Sequence, residues 1–262
     1  MSSSFQEFFD RWLVEQNLHL EDLISATTAQ RPATQFLRDL AGQVMQHYEE
    51  YYQAKSAWAH QDVLDVLSPS WRTSLEEAFL WIGGWRPSTA FHLLYSKSGL
   101  QLETLLHDAD DMGHRNGAVT NLAGLSTTQF HMINELHKNT IKEERRLTEK
   151  MTKVQESIAD ASVVDLSHTV SEMIRRTEEG EGDVAGPMSA SVVMNERVER
   201  ALVPKKRKME ELLRKADDLR LTTIRSIVDD ILTPIQAVHF LIALAELHLR
   251  VHDWGKQRDD QC

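Results

Sequence analysis

Two histidines four residues apart, His248 and His252, are the side chains whose types and spacing come nearest to a binding chemistry. On a helix that spacing sets both imidazoles on one face, about 6 Å apart at their roots. Leu241, Leu244 and Ala245 form an apolar surface just before them. A groove of that kind, ending in imidazoles, could hold a porphyrin or a single metal ion. Neighbours on one helix occupy adjacent coordination positions, so they cannot clamp one haem iron from both sides. Haem would take one of the two as its axial ligand with the other behind it, unless a second chain contributes. The plainer alternative is a pair of part-buried helix-end histidines favoured by the helix dipole.

Other clusters offer less. His107-Asp108-Ala109-Asp110-Asp111-Met112-Gly113-His114 resembles a metal loop, but as a calcium loop starting at Asp108 it puts Met112 fifth and Val119 twelfth, where a hard cation needs oxygen. A dispersed zinc or iron site on His107 and His114, extended with Asp110 to a metal-dependent hydrolase, competes with a merely solvated Asp-rich turn. The turn is the favoured reading, so no metal site is expected. His131 and His137 stand six residues apart on different helix faces. No phosphate-cradling glycine loop, Gly-x-Ser-x-Gly elbow or His-Glu-x-x-His pair is present. Cys262 ends the chain, where a frayed terminus cannot hold a base beside a thiol. No catalytic residue is therefore expected, and the chain reads as a binder rather than an enzyme. Pro204-Lys205-Lys206-Arg207-Lys208 is a basic run of the kind read by nuclear import receptors, or else a solvated helix start balanced by Glu210 and Glu211.

The elements that must position these residues are helical. Only 11 of 262 residues are Gly and 6 are Pro, while Leu, Ala, Glu, Gln and Arg abound, which favours long helices over short strands. Lys and Arg number 29 against 40 Asp and Glu, a net charge of −11, and such a surface repels nucleic-acid phosphates. The lone cysteine fits a reducing compartment. No secretory signal is visible, and the apolar stretch 237–247 is too short to span a bilayer, so no membrane partner is expected.

The spacing of Phe5, Phe8, Phe9, Trp12, Leu13 and Leu20 predicts a first helix to about Ile24. Pro32 then opens a long helix to about Leu67, with a stripe from Phe36 through Leu40, Val44, Tyr48 and Tyr51 to Trp58. Ser68-Pro69 reads as a helix start and Gly83-Gly84 as its stop. Pro87 opens a helix ending near Gly99. Residues 107–124 read as a loop, and 126–161 as one charged helix. The acidic, glycine-rich stretch 178–191 reads as disordered. The helix after it is expected to break or kink at Pro204, and Thr233-Pro234 starts a last helix that Gly255 stops. The expected fold is all-α, with long antiparallel helices in a single helical-bundle-like domain over 1–262. Amphipathic helices of this length also suit a homodimer.

Five segments stand out in order along the chain: Phe9-Asp10-Arg11-Trp12-Leu13-Val14-Glu15-Gln16, Trp81-Ile82-Gly83-Gly84-Trp85-Arg86-Pro87-Ser88, the run from Glu211 to Arg220, Ile231-Leu232-Thr233-Pro234-Ile235-Gln236-Ala237, and His252-Asp253-Trp254-Gly255. Together they resemble the plant DOG (DELAY OF GERMINATION) domain family, which also supplies the C-terminal part of TGA-type bZIP transcription factors. The likeness is closer to stand-alone seed-dormancy-type members than to the bZIP factors, whose basic region makes the sequence-specific DNA contact, so no direct contact of that kind is expected. The resemblance implies a non-enzymatic regulator of the seed-dormancy and abscisic-acid kind, nuclear or cytoplasmic. It implies protein partners, a type 2C protein phosphatase or a transcription regulator, with Phe9, Asp10 and Trp12 at the partner-binding position. It further implies haem at the His248/His252 pair. The alternative reading of the chain is a sensor whose haem or lipid ligand controls docking.

Overall fold

Row by row, the apolar spacing and the capping residues convert this sequence into helices. The computed structural model describes residues 5–28, 32–112, 121–178 and 187–261, with the side chains at 102, 104–112, 176–178 and 187–195 outside that description. Among the described residues the fold is all-α, interrupted only by a single bridge between Trp81 and Gly84.

Helix α1 (Phe5–Thr28) buries Phe5, Phe9, Trp12, Gln16, Leu20 and Leu23 along one face. Helix α2 (Thr34–Gln61) buries a matching row through Leu37, Val44, Tyr48, Tyr51 and Tyr52. Asp62 ends α2 in an extended conformation and caps α3 (Val63–Leu67), its carboxylate accepting from the Leu64 and Asp65 amides. The single helix expected to run to about Leu67 is therefore two, α2 and α3, parted at Asp62.

The helix start expected at Ser68-Pro69 is not used. Ser68 closes α3, and α4 (Ser74–Ala78) begins only after Thr73, which forms a reciprocal capping box with Glu76. Two backbone donors satisfied by that box outweigh one favourable proline. Helix α5 (Thr89–Met112) takes in residues 107–112, which were expected to be loop. The expected helix 126–161 divides into α6 (Thr127–Glu156), a 3₁₀ turn at Ser157–Ala159, and α7 (Ala161–Glu178). Of the stretch expected to be disordered, 179–186 lies outside the described residues, while Glu178 ends α7 and Pro187 begins α8 (Pro187–Arg225).

Pro204 lies within α8 without ending it. One lost backbone donor is tolerable where the turns on both sides keep theirs, and Lys205 ties the helix to Asp160 by an ion pair. Helix α8 then widens into a π-helical turn, Ser226–Ile231, in which the Leu232 amide donates to the Ile227 carbonyl at 3.0 Å. Gln129, the partner of Ser126 in the α6 capping box, donates to the Ile231 carbonyl at 2.9 Å and to Gln236 at 2.7 Å. The capping boxes of α6 and α9 (Pro234–Asp259) are thus tied together.

Gly255, expected to stop α9, is buried inside it. A Cβ there would meet the Thr73 hydroxyl at 2.0 Å, so the glycine serves close approach of the α4 cap rather than helix termination. Helix α9 is the common axis of the packing, touching α1, α2, α4 and α5, while α6 and α7 lie against α8. Its Ala237, Val238, Phe240, Leu241, Leu244 and Ala245 join the main core. A smaller cluster of Leu147, Met151, Val154, Leu212 and Ala216 holds α6 to α8. No described helix is long and apolar enough to cross a membrane.

Candidate ligand-binding cavity

The aromatic faces of α1 and α2 do not close completely on α9. Between them and the 72–93 segment lies a cavity of about 690 Å³, well inside the range of small-molecule sites. Helix α1 contributes Phe9, Trp12 and Leu13, and α2 contributes Tyr48, Tyr51, Tyr52 and Lys55. Helix α9 contributes Leu244, Leu247, His248, Val251 and Trp254. Phe79 and Trp254 line it while remaining 74% and 55% exposed, so they mark its mouth.

The wall opposite α1 is a tight turn with a built-in anchor. Trp81 and Gly84 exchange backbone hydrogen bonds of 2.7 and 3.2 Å around Ile82 and Gly83, both at positive φ (42° and 67°). Such a turn is readily adopted by glycine and costs a β-branched residue strain. Arg220, fully buried, overcomes that cost by donating to the carbonyls of Trp81, Ile82 and Trp85. Its charge is met by Asp217, which also receives Lys55 at 2.8 Å. Burial still drives Lys55 down from 10.5 to about 7. A Cβ on Gly84 would lie 2.9 Å from the Arg220 guanidinium carbon. Buried Glu144 holds the far side of the turn, accepting from the Ser88 amide and from Arg86 at 2.8 Å.

His248 faces this space. Its Nδ1 lies 3.4 Å from the Tyr48 hydroxyl, which accepts from Gln16 at 3.0 Å. Burial, reinforced by the charge of Arg72, lowers His248 to about 4, so its imidazole is neutral at pH 7. Tyr48 can answer either tautomer, and when Nδ1 carries the proton the Nε2 lone pair is free to bind a metal. His252 is different. It is buried beside the cavity, with Nδ1 2.9 Å from Glu76 and its ring edge-on to Phe9 at 5.8 Å. Burial opposes ionisation of Glu76, yet hydrogen bonds from His252 and Thr73 hold its carboxyl at about 2. Of the pair, His248 is the residue that would hold a haem iron, while His252 latches α9 to α4.

The structure separates the three residues placed together at the partner-binding position. Asp10 is exposed, but Phe9 and Trp12 are buried. Trp12 donates to the His47 carbonyl at 3.3 Å and stacks on that ring at 4.9 Å. Rings at these positions fill the gap between α1 and α2. The basic run lies within α8. It is helical rather than extended, with Lys205 buried against Asp160 and Lys206 3.0 Å from Glu199; Arg207 and Lys208 are exposed. The side chains of His107 and Asp110, and the whole of His114, lie outside the described residues. Among the described residues no group of three metal-binding side chains assembles.

Sequence reading missed the charged members of this site. Asp217 and Arg220 sit in the buried row Leu213, Ala216, Asp217, Arg220 and Ile224, and an acid–base pair on an apolar stripe was the available signal. Lys55 likewise continues the row Tyr48, Tyr51 and Tyr52. Arg72 and Glu76 carried no such pattern.

An N-terminal aromatic helix, a Trp-Ile-Gly-Gly-Trp turn and a long C-terminal helix around one cavity define an all-helical domain. The model of the DOG1 family, described as seed dormancy control, matches residues 19–96. Protein DOG1-like 2 of Arabidopsis thaliana is 34% identical over 259 residues, covering 97% of this chain and 91% of that protein. The chain belongs to the DOG1 family. Protein RESPONSE TO ABA AND SALT 1 of the same plant is 27% identical over 98% of this chain and 97% of its own length. The TGACG-sequence-specific DNA-binding protein TGA-2.1 of Nicotiana tabacum is 29% identical over 95% of this chain but only 45% of its own length.

Proposed function

We propose that this chain is a non-enzymatic regulator of the seed-dormancy and abscisic-acid response, acting by binding a protein partner, a type 2C protein phosphatase or a transcription regulator. The family description and the name of the abscisic-acid-responsive relative support the pathway. The observation that carries docking is the outer face of α1. With its rings buried, α1 exposes Val14 (64%) and Leu18 (55%) one turn apart, flanked by exposed Asp10, Asn17 and Glu21. Exposed apolar side chains inside an acidic rim suit a partner with apolar and basic groups. The docking residues in this reading are Asp10, Val14 and Leu18.

The test is calorimetric titration of a type 2C phosphatase into wild-type protein and a Val14→Glu/Leu18→Glu variant. Binding should weaken at least tenfold in the variant with its thermal midpoint unchanged. Equal binding by a folded variant would remove α1 as the docking face. Residence in nucleus and cytoplasm belongs to the same proposal, supported by the exposed Arg207 and Lys208 alone of the basic run.

A second reading is favoured by the cavity itself: a sensor whose occupant shifts partner docking. His248 would hold haem, and the bound group would supply redox and gas-binding chemistry. In this chain's own residues, Tyr48 orients the ring of His248, and the aromatic walls line the space beside it. A Soret band lost in His248→Ala but kept in His252→Ala supports this arrangement; equal loss in both contradicts it.

A further inference from the structure

The seam between α1 and α2 holds a buried imidazole that is not part of the cavity lining. His47 is 4% exposed and stacks flat on Trp12, and its Nε2 has no hydrogen-bond partner. A buried polar atom in that condition calls for a water or an ion to complete it. Its Nδ1 lies 3.7 Å from a carboxylate oxygen of Glu15. That neighbour favours the tautomer with the proton on Nδ1, which leaves a lone pair on Nε2. Burial, with the charge of His19 added, lowers His47 to about 4, so the ring is neutral at pH 7.

A second imidazole stands beside it. The ring centre of His19, on α1, is 4.8 Å from that of His47, with the planes at 56°. Two imidazoles on one zinc ion, each about 2.0–2.1 Å from it and at a tetrahedral angle, have ring centres on the order of 5 Å apart. His19 is half-buried, so its ring can turn toward a shared ion. Glu15 and His19 are one turn apart on α1, so the same turn supplies one ligand and the carboxylate that orients the other. The charge of Glu50, one turn beyond His47 on α2, also reaches the His47 ring. A dication here would therefore meet two carboxylates. Among the described residues no third side chain completes a cluster, so the remaining positions fall to water and the ion is exchangeable rather than structural.

We propose that His19 and His47 together bind one divalent transition-metal ion of the zinc class, with Nε2 of His47 as a ligand and Glu15 accepting from its Nδ1. Imidazole donors suit zinc and its neighbours, whereas magnesium and calcium need oxygen. Glu15 and His19 adjoin Val14 and Leu18 in sequence, so the ion ties the turn that carries that exposed apolar pair to α2. The site stands whether or not a partner docks there.

The test is calorimetric titration of zinc chloride into the metal-stripped full chain at pH 7, with magnesium chloride alongside. One equivalent of zinc should bind with a Kd below about 100 µM and raise the thermal midpoint, and magnesium should do neither. His19→Gln should abolish that equivalent and the rise, with its metal-free midpoint equal to that of wild type. Glu15→Gln should weaken binding by about ten- to hundredfold. The other facing pair, His92 and His137 with ring centres 5.7 Å apart, serves as control, and His92→Gln should bind as wild type does. Zinc binding weaker than about 100 µM in wild type overturns the proposal without any variant having to fold. Undiminished binding by a folded His19→Gln overturns it as well, and so does a loss seen in His92→Gln but not in His19→Gln.

Discussion

Two arginines a few ångströms from the same cavity have opposite surroundings. Arg220 is completely buried, pairs with Asp217, and donates to three backbone carbonyls of the 81–85 turn. Arg72 makes one hydrogen bond, to a phenol. The difference separates an architectural arginine from a dispensable one. A guanidinium whose donors are consumed by its own chain holds that chain in shape, and one left half-buried with a single hydrogen bond does not.

The sharpest break in this comparison is Arg220→Ala. It takes one of the two cationic partners from buried Asp217 and releases three carbonyls, so it should cost about 3–5 kcal/mol in urea unfolding. A loss under about 1 kcal/mol would mean the turn holds itself. Next comes acid. The neutral form of His248 is favoured by the fold, with its pKa lowered from 6.5 to about 4, and His47 behaves the same way. Above pH 6.5 neither state binds the proton, so these groups leave stability flat. Between 6.5 and 4 the unfolded chain binds protons that the folded chain refuses, and stability falls as pH falls. The fall should be on the order of 3 kcal/mol per histidine, and His248→Gln should flatten part of it. Glu76, held at about 2, adds a further loss below pH 4.5.

Gly84→Ala probes the same anchor more gently. Its Cβ would press on the Arg220 guanidinium, and overpacking of this kind costs about 1–3 kcal/mol. The smallest effect on stability is expected for Arg72→Met. Replacing a half-buried arginine that donates to one neutral hydroxyl by an apolar chain of similar length should leave the midpoint within about 1 kcal/mol of wild type. If Arg72→Met destabilises as much as Arg220→Ala, the two arginines do the same structural work and the contrast collapses.

How much of this was legible in the sequence differs between frame and site. The helical class followed from scarce Gly and Pro and from three-and-four spacing, and the Thr233-Pro234 start was used as read. Phe36, however, was placed on the buried stripe of α2 and is exposed, its neighbour Leu37 facing inward instead. Gly255 reads as a helix end because glycine usually is one, and only the approach of Thr73, distant in sequence, explains it inside α9. The same limit applied at the site. Helical periodicity placed Phe9 and Trp12 on α1 but could not say which side of that helix the rest of the chain would cover. His248 and His252 share a face by spacing, yet Tyr48 claims one and Glu76 the other. Long-range partners of this kind, some 200 residues away for Tyr48 and His248, leave no trace in local pattern.

The measurement that bears most directly on the contrast is urea unfolding of wild type, Arg220→Ala and Arg72→Met side by side. If Arg220 holds the 81–85 turn and Arg72 does not, Arg220→Ala loses about 3–5 kcal/mol while Arg72→Met stays within about 1 kcal/mol of wild type. Equal losses in the two variants, or an Arg220→Ala as stable as wild type, would contradict it.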